Sequence, residues 1–558
     1  MTLSRKSPFI GVLFFLLFVL AGTLKISIFD HLIVGEPALG GVLDGYLNKS
    51  VVMLILCVLL TLPRRPFLLV GFCCLQILYM YVNLLYHFSF TGYLHLSQYA
   101  GLYGEAFDLA WHSALPADGR LGWVLVDLPL CAAFVWAYPG FSRIATPLRV
   151  RTLLYGCAAA LCVFFLHWDS KRDTANALMN NAYESDISVV QKYGLLTFNF
   201  VDLLNYQDGQ HHINAISYGP ALSSGKARTD TADVGHRPNI VVLQVESLDA
   251  YIVDRKYKDA FVTPFLHGLT SSAVYYPYML SYHKAGSSSD CDFSTINSIE
   301  PFDDYPSIKI RNYDYVNSMA RQVSAHGYAV MAFHGNKGSY FNRTAAFKKM
   351  GFERFFDMDA MGLHDIGWGA PDKSVFDFVA AKMRLQKEPF FYYVITMSSH
   401  EPFTLTQTYY RNNFFSDIRN ERTRNYFNAI SYVDREIGEF VRNVKSLRPN
   451  TYVFIMGDHT PVIGRDVYKR ASFVYDGRQF EFVPHFIITP DSRVFRENRC
   501  AASFIDIAPT VLAATRAPYS IRSSGLNLLS GPIPNTTIQY RTVAYLRADL
   551  YKRIKLGR

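Results

Sequence analysis

The chain has 558 residues, 50% of them hydrophobic, and a formal net charge of +9 at pH 7. A soluble chain of this length would divide into several domains, but here the apolar residues crowd into long runs before about position 170. Because part of the Lys and Arg excess flanks these runs, the basic charge does not indicate nucleic-acid binding.

Five apolar runs dominate the N-terminal part. A helix needs about 20 mostly apolar residues to cross the hydrocarbon layer of a bilayer. The first run is also too long for the core of a signal peptide, so we predict five membrane spans. They lie at 8–29, 50–62, 66–88, 121–141 and 152–168.

Basic residues predict the orientation of these spans. Arg5 and Lys6 precede the first span, Arg64 and Arg65 separate the second from the third, and Arg143 lies between the fourth and fifth. With five spans all these groups lie on one side, which is the cytoplasmic side. We therefore predict a multi-pass membrane protein whose C-terminal part lies outside the cytoplasm.

The remaining chain divides into two further regions. Residues 169–236 begin with apolar and polar residues at helical spacing and continue as a polar stretch, so we predict juxtamembrane helices and a linker after a transmembrane domain over 1–168. Residues 237–558 contain short β-rich runs that alternate with helical patterns. This alternation predicts an α/β domain with a mostly parallel central sheet covered by helices.

Polar residues capable of binding a metal follow several of the predicted strands. Glu246 ends "NIVVLQVES", His334 ends "YAVMAFHG", His400 ends "FFYYVITMSSH", and Asp458 and His459 end "TYVFIMGDHT". Ligands of parallel sheets bind at the carboxyl ends of strands. Carboxylates and imidazole together suit Mn²⁺ or Zn²⁺, and such a cation activates a hydroxyl nucleophile.

The serine run in "GSSSDCDF" offers that hydroxyl, and composition alone does not choose among Ser287, Ser288 and Ser289. The alternative for Ser287 and Ser289 is a polar turn that ends a strand and caps a helix. His283 and Lys284, which flank the run, are most simply solvated loop residues, and the alternative is that they contact an anionic acceptor. Cys291 and Cys500 are the two cysteines of the C-terminal domain, and whether they pair stays open.

Five segments in order, "NIVVLQVESLDAY", "GSSSDCDF", "FHGNKGSYFNR", "TMSSHEPF" and "GDHT", resemble the lipoteichoic acid synthase branch of the alkaline phosphatase and sulfatase superfamily. The resemblance covers 239–515 by motif. It implies a multi-pass protein of the bacterial inner membrane whose catalytic domain, periplasmic or extracellular, has the alkaline phosphatase-like α/β fold and a phosphoglycerol transferase activity. Each motif alone is short; their order and spacing make the resemblance specific.

The resemblance also implies roles for single residues. The family motif G-K-T-S-D-x-E-F has threonine as nucleophile, and Gly286 and Asp290 set a register that puts Ser288 at that position. The implied metal ligands are Glu246, Ser288, Asp458 and His459. They would hold one divalent cation, Mn²⁺ in our interpretation, with Zn²⁺ or Mg²⁺ as alternatives.

The family's phosphate pocket corresponds to His334, Phe341, Arg343 and His400. The forked donors of an arginine suit two phosphate oxygens. Phe341 stands where the family commonly has tryptophan, which removes an indole donor and leaves the choice of head group in doubt. Ser287 likewise stands where the family often has lysine.

The resemblance favours transfer of phosphoglycerol from phosphatidylglycerol to an envelope glycan or polymer through a phosphoserine intermediate. One alternative is transfer of phosphoethanolamine from phosphatidylethanolamine to lipid A or another surface glycan. Another is a sulfatase-like phosphodiesterase, in which water completes the reaction. A non-catalytic membrane scaffold is the third, and it predicts no metal and no effect of removing Ser288.

Overall fold

The fold was analysed in a computed structural model of the chain. The chain forms two compact units, Met1–His211 and His212–Arg558. The structure describes residues 8–34, 49–50, 52–54, 56–57, 67–90, 93, 125, 127–141, 190, 193–205, 221–223, 237–284, 286–302, 306–309, 313–338, 340–366, 368–404, 413–461, 463, 473–475, 478–497, 499–530, 536–540 and 543–556.

The first unit is helical where it is described. Its helices are α1 (Pro8–Val34), α2 (Phe67–Phe90), α3 (Leu128–Phe141) and α4 (Leu195–Asn205). Helix α1 packs against both α2 and α3, and Phe18 and Phe134 meet edge to face at a ring distance of 5.6 Å. Lys25 and Asp127 form an ion pair that is buried in this unit.

Within the described part of the chain, none of the helices combines the length and the apolar character that crossing a membrane requires. Three of the predicted spans overlap α1, α2 and α3. The span predicted at 152–168 lies outside the described residues. The five-span domain therefore stays a prediction.

The second unit is an α/β domain. Its strands are β1 (Ala221–Ser223), β2 (Asn239–Val245), β3 (Lys256–Tyr257), β4 (Ala260–Phe261), β5 (Val274–Leu280), β6 (Ala329–His334), β7 (Arg354–Phe356), β8 (Phe390–Ile395), β9 (Thr451–Gly457), β10 (Phe473–Tyr475), β11 (Arg478–Phe480), β12 (Phe482–Ile488), β13 (Phe495–Arg496), β14 (Ala502–Ser503), β15 (Ser520–Arg522), β16 (Thr537–Tyr540) and β17 (Val543–Leu546).

Helices alternate with the strands of the main sheet, as the sequence predicts. They are α5 (Ala250–Val253), α6 (Pro264–Leu269), α7 (Ser288–Asn297), α8 (Met319–Ala325), α9 (Arg343–Lys349), α10 (Asp372–Leu385), α11 (Glu421–Leu447), α12 (Ile507–Ala514) and α13 (Arg547–Leu556). The longest, α11, begins after Asn420, whose side chain caps it by accepting from the Thr423 amide at 2.9 Å.

A nine-stranded sheet organises this unit, in the order β13-β5-β12-β9-β2-β8-β6-β7 with β14 also paired to β5. All pairings are parallel except those of β12, which runs antiparallel to β5 and to β9. The prediction of a mostly parallel sheet is therefore confirmed. The direction of β12 could not be seen in the sequence, because a fully buried strand is apolar whichever way it runs.

Both faces of the sheet are buried. Val241, Leu243 and Val245 of β2 join one large apolar cluster with residues of α6, α10 and α11. Ile240 and Val242 alternate with them and are also buried, so they cover the opposite face. This double burial explains why the predicted strands read as continuous apolar runs.

Several strands are absent from the sequence interpretation, and β5 and β1 are two of them. Strand β5 was missed, because Pro277 lies within it and proline removes a ladder hydrogen bond. The chain tolerates this proline because the pairing of β5 with β12 shifts register between Val483 and His485, opposite that position. In the segment predicted as a linker, Ala221–Ser223 forms β1, which pairs with β15.

Candidate active site

Three candidate metal ligands meet at the carboxyl ends of β2 and β9. Glu246 directly follows β2, and Asp458 and His459 directly follow β9, its parallel neighbour. Their ligand atoms all lie within 4.8 Å of one another, and all three residues are buried. The pairing of Val245 with Gly457 in the last register position brings these side chains to the same point of the sheet edge.

Hydrogen bonds fix the orientation of this cluster. Asp458 Oδ1 accepts from the amides of Ser247 at 2.9 Å and His459 at 2.7 Å. Its Oδ2 is buried and has no hydrogen-bond partner among the described residues. A buried carboxylate oxygen without a hydrogen-bond partner calls for a compensating group, and the neighbouring ligand atoms of Glu246 and His459 make a cation a suitable one.

The imidazole of His459 is oriented in the way a metal ligand requires. Its Nδ1 lies 3.0 Å from the Thr460 carbonyl oxygen, to which it donates in the neutral ring. This leaves Nε2, which lies 3.1 Å from Glu246 Oε1, as the atom facing the cluster. Two carboxylates and one imidazole suit a divalent cation of the Mn²⁺ or Zn²⁺ type.

The three buried side chains of the cluster shift one another's pKa values. Burial and the charge of Glu246 raise the pKa of Asp458 to about 7. Burial favours the neutral ring of His459, but the carboxylates of Asp458 and Glu246 outweigh it and raise its pKa to about 10. Burial likewise opposes ionisation of Glu246, yet His459 holds its pKa well below the usual range.

The structure brings one serine of the run to this cluster. Ser288 Oγ donates to Glu246 Oε2 at 3.0 Å and lies 3.1 Å from His459 Nε2. It is half-buried, whereas Ser287 and Ser289 are buried. Ser289 instead donates to the Gly286 carbonyl oxygen at 2.8 Å. The position of Ser288 agrees with the nucleophile assignment, which remains a prediction about its role.

A tight turn presents Ser288 as the first residue of α7. Asp290 Oδ2 accepts from the amides of Lys284 and Gly286, both at 2.9 Å. A Cβ atom on Gly286 would lie 2.3 Å from Asp290 Oδ1, so only glycine fits here. Ser287 adopts the left-handed region with φ +44°. Asp290 thus stabilises the turn and does not belong to the cluster of candidate metal ligands, which we call the metal cluster below.

The helix that carries Ser288 is also tied to the sheet. Gln244, on β2, donates through Nε2 to the Ser288 carbonyl oxygen at 3.1 Å. The Gln244 Oε1 atom in turn accepts from the Tyr393 hydroxyl at 2.5 Å. Sequence reasoning missed Gln244, although a polar residue inside an otherwise apolar strand is a usable signal of a buried hydrogen bond.

His334 and Arg343 of the predicted phosphate pocket are in contact. Arg343 Nη1 lies 3.3 Å from His334 Nε2, and Arg343 Nε donates to Asp292 Oδ2 on α7 at 2.7 Å. Burial, reinforced by the charge of Arg343, lowers the pKa of His334 to about 3. The neutral ring donates from Nδ1 to the Ile395 carbonyl oxygen at 3.3 Å and accepts from the guanidinium.

Phe341 packs against the same guanidinium, with 5.4 Å from the Arg343 Cζ to the ring centre. Phe341 and Asn342 both have left-handed backbones, with φ of +53° and +56°. Such φ values are uncommon for residues other than glycine. This short irregular segment aims Arg343, the first residue of α9, at His334.

His400 is the fourth residue of the predicted pocket, and it lies in the loop after β8. Burial lowers its pKa to about 4. The charge of Glu246 acts on both His334 and His400, so the pocket residues lie within electrostatic range of the metal cluster. The indole N–H of Trp368 contacts His400 Nδ1, and the two rings meet edge to face at 5.1 Å.

Trp368 is a candidate site residue that sequence reasoning missed. It lies outside the five motifs, so no pattern marked it. Its position beside His400 matters because Phe341 stands where the resemblance expects a tryptophan. Cys291 and Cys500, whose pairing the sequence left open, are both free and buried in the part of the chain that the structure describes.

The sequence and the fold are similar to those of known proteins. The model of the Sulfatase family matches residues 238–517, which is just over half of the chain. Lipoteichoic acid synthase-like YvgJ of Bacillus subtilis is 24% identical over 363 residues, covering 60% of this chain and 58% of that protein. Lipoteichoic acid synthase of Staphylococcus aureus (strain USA300) is 25% identical over 242 residues, covering 40% and 36%.

The chain therefore spans less than two thirds of the length of these curated relatives. Among solved structures, the integral membrane protein lipooligosaccharide phosphoethanolamine transferase A (EptA) from Neisseria meningitidis superposes with a TM-score of 0.55. The match has 15% sequence identity and covers 91% of this chain and 96% of that one. At this identity the likeness shows the fold alone.

Proposed function

This chain belongs to the Sulfatase family, and on that premise we propose that it is a membrane-bound, metal-dependent transferase of phosphoglycerol. The donor is phosphatidylglycerol, and the acceptor is a hydroxyl group of a cell-envelope glycan or polymer. The observation that carries the proposal is the placement of Ser288 Oγ against Glu246 Oε2 at 3.0 Å and His459 Nε2 at 3.1 Å.

Glu246, Asp458 and His459, with Ser288, would hold the cation, and we propose Mn²⁺. The buried Asp458 Oδ2, which has no hydrogen-bond partner among the described residues, supports this assignment. When bound, a divalent cation lowers the pKa of a coordinated hydroxyl and neutralises charge on a phosphoryl oxygen. The chain itself aims Ser288 Oγ, because Gln244 and the turn at Gly286 fix the start of α7.

In the first half-reaction, Ser288 Oγ attacks the phosphorus atom of the donor lipid. A bond forms between Oγ and phosphorus, and the bond from phosphorus to the diacylglycerol oxygen breaks. The hydroxyl proton of Ser288 ends on diacylglycerol, which stays in the bilayer. Ser288 then carries the phosphoglycerol group as a phosphodiester.

In the second half-reaction, an acceptor hydroxyl attacks the same phosphorus atom. The bond to Ser288 Oγ breaks, and the acceptor proton returns to the serine. Arg343 and His400 are suited to bind phosphoryl oxygens and head-group hydroxyls, and His334 orients Arg343 through the 3.3 Å contact. Five membrane spans would keep the domain beside its lipid donor and raise the donor's effective concentration.

Intact-mass analysis tests this proposal. The full chain is incubated with Mn²⁺ and vesicles of either phosphatidylglycerol or phosphatidylethanolamine, without an acceptor. We expect a phosphoglycerol increment on Ser288 with phosphatidylglycerol and none in Ser288→Ala. A phosphoethanolamine increment instead would favour the alternative transferase, and no increment with either lipid would count against both.

A further assay separates the transferase from a phosphodiesterase. Radiolabelled head group is followed in the presence and absence of added glycerol as a simple hydroxyl acceptor. A transferase attaches the labelled head group to glycerol, and the amount of this product rises with the added glycerol. A hydrolase releases the same amount of labelled head group whether glycerol is present or not.

A further inference from the structure

A second imidazole–carboxylate pair lies next to the metal cluster. His283 Nε2 is 3.6 Å from Glu481 Oε2, and the two side chains are 21% and 25% exposed. The ring of His283 meets that of His459 edge to face at 6.0 Å. Glu481 Oε2 also accepts from the hydroxyl of Thr460, the residue after His459, at 2.8 Å. The pair is thus in contact with the cluster and still reachable from solvent.

The sheet order places this pair on one side of the site. His283 follows β5, and Glu481 directly precedes β12. Because β12 is antiparallel, the residue before it lies at the same sheet edge as the carboxyl ends of its neighbours. In the sheet, β5 and β12 lie on one side of the β9–β2 pair, and β8 and β6 lie on the other; His400 follows β8, and His334 is the last residue of β6.

Hydrogen bonds hold the pair in place. The Ser281 amide donates to the Glu481 carbonyl oxygen at 2.9 Å, and the Ser281 hydroxyl donates to the Asp458 carbonyl oxygen at 2.8 Å. Lys284, the neighbour of His283, contacts the Phe302 carbonyl oxygen through its ammonium group. The two residues that flank the serine run therefore differ, since Lys284 contacts the backbone and His283 faces the site.

The chemistry of the pair favours hydroxyl groups. An ionised carboxylate only accepts hydrogen bonds, and an imidazole both donates and accepts. A carboxylate repels the phosphodiester anion of the donor lipid, and the acyl esters of diacylglycerol offer no donor. A polyol or sugar acceptor carries several hydroxyl donors that match Glu481, whereas the hydroxyl groups of the donor head group are assigned to Arg343 and His400 on the other side of the site.

From this geometry we propose that His283 and Glu481 bind the hydroxyl groups of the acceptor, on the β5–β12 side of the site. The inference rests on the proposed transferase function and adds the acceptor side to it. The chemical class that the pair recognises is a polyhydroxylic acceptor, either a polyol phosphate chain or a glycan. The donor head group occupies the opposite, β8–β6 side.

The test separates the two half-reactions. Full-length wild type, Glu481→Gln and His283→Asn are given Mn²⁺ and phosphatidylglycerol vesicles, and the burst of diacylglycerol is measured without acceptor. Glycerol is then titrated as the probe acceptor. We expect an unchanged burst and a KM for glycerol raised about 10- to 100-fold in both variants, as the loss of a hydrogen bond to a charged group predicts.

Controls exclude a general effect on folding. His267 and Asp254 form another imidazole–carboxylate pair in the same unit, at 3.1 Å, and no contact links them to the cluster among the described residues. His267→Asn should leave both the burst and the KM unchanged. Glu481→Asp, which keeps the charge, should recover part of the lost glycerol affinity.

The outcomes are distinguishable. A wild-type burst with an unchanged glycerol KM in Glu481→Gln and His283→Asn would overturn the acceptor role and leave the transferase intact. A burst lowered as much as the glycerol reaction would assign the pair a structural role and also overturn the inference. A wild type that forms no phosphoseryl species would overturn the proposed function and the inference with it.

Discussion

The candidate active site has two sides that are attached to the sheet in different ways. We call them the metal side (Glu246, Ser288, Asp458 and His459) and the phosphate side (His334, Phe341, Arg343, Trp368 and His400). Glu246 and Asp458 directly follow neighbouring parallel strands, and Ser288 is the first residue of a helix held by Gln244. On the phosphate side, Arg343 depends on two left-handed residues. Trp368 comes from the loop that precedes α10.

This difference suggests that the metal side serves the chemical reaction and that the phosphate side serves recognition of the substrate. Strand ends in the middle of a buried sheet hold side chains to within a narrow range, which suits a nucleophile and its cation ligands. Loops tolerate substitution, which suits a pocket that selects among head groups. We therefore expect substitutions on the metal side to abolish the reaction, and those on the phosphate side to change its rate and selectivity.

The largest effect is expected for Ser288→Ala. Removal of the nucleophile should lower turnover of phosphatidylglycerol by about four orders of magnitude or more, because no covalent intermediate forms. Diacylglycerol release measures it. Ser287→Ala, in the neighbouring residue, is the matched control and should retain turnover within about tenfold. A Ser288→Ala protein of near-normal activity would disprove the assignment of the nucleophile.

The next effect concerns the cation. Asp458→Asn removes the charge that Oδ2 offers to the metal, and we expect Mn²⁺ affinity to fall by more than about 100-fold. Isothermal titration calorimetry measures this directly. The wild-type melting temperature should rise with Mn²⁺, because a ligand that binds the folded state stabilises it.

Asp434→Asn is the matched control for Asp458→Asn. Asp434 is also a buried aspartate, but it accepts from the amides of Phe265 and Leu266 at 2.9 and 2.8 Å, away from the cluster. This variant should be less stable and yet keep its Mn²⁺ affinity. Equal loss of affinity in both variants would mean that the cluster does not bind the cation specifically.

The residues of the metal side can be predicted from the sequence because Glu246 and Asp458 directly follow buried apolar strands. A buried apolar run ending in Glu or Asp predicts both the strand and the place of the side chain. Composition alone does not distinguish the three serines. Ser288 is identified only when the segment is aligned with the family motif. Glu481 escapes this rule, because it precedes a strand whose antiparallel direction the sequence does not reveal.

The phosphate side is harder to foresee for a physical reason. Trp368 lies in a loop and directly precedes Gly369, whose φ is +135°. Because it belongs to no helix or strand, no periodic pattern in the sequence marks it. Its contact with His400 depends on how that loop packs, with the Gly335 and Gly369 backbones in close approach. Such contacts are set by tertiary packing and not by local sequence.

Metal binding should depend on pH in a defined direction. The pKa of Asp458 is raised to about 7 and that of His459 to about 10. Below about pH 7 the cation must displace protons from both residues, and between pH 7 and 10 it must displace one from His459. Mn²⁺ affinity should therefore rise with pH, about 100-fold per unit below pH 7 and about tenfold per unit above it.

Titration with Mn²⁺ at pH 6, 7 and 8 checks this dependence. Repeating the pH 8 titration in buffers of different ionisation enthalpy counts the protons that are released. We expect about one proton per cation at pH 8 and more at pH 6. Affinity that is constant over this range would mean that the cation binds without displacing protons, away from His459.

On the phosphate side, Arg343→Lys should have a smaller effect. A lysine keeps the charge but loses the fork that reaches Asp292 and His334 together. We expect kcat/KM for phosphatidylglycerol to fall about 10- to 100-fold while Mn²⁺ affinity stays unchanged. Arg442→Lys, on the exposed face of α11, is the matched control. A parallel fall in Mn²⁺ affinity would contradict the separation of the two sides.

The smallest effect is expected for Trp368→Phe, which keeps an aromatic ring against His400 and removes the indole N–H. Loss of one hydrogen bond of this kind corresponds to about a two- to tenfold fall in kcat/KM. If the orientation of His400 by Trp368 helps to select the head group, the fall should differ between phosphatidylglycerol and phosphatidylethanolamine. Trp136→Phe, whose side chain is 79% exposed on α3, controls for the substitution itself. An equal fall with both lipids would mean that Trp368 orients His400 without selecting the head group.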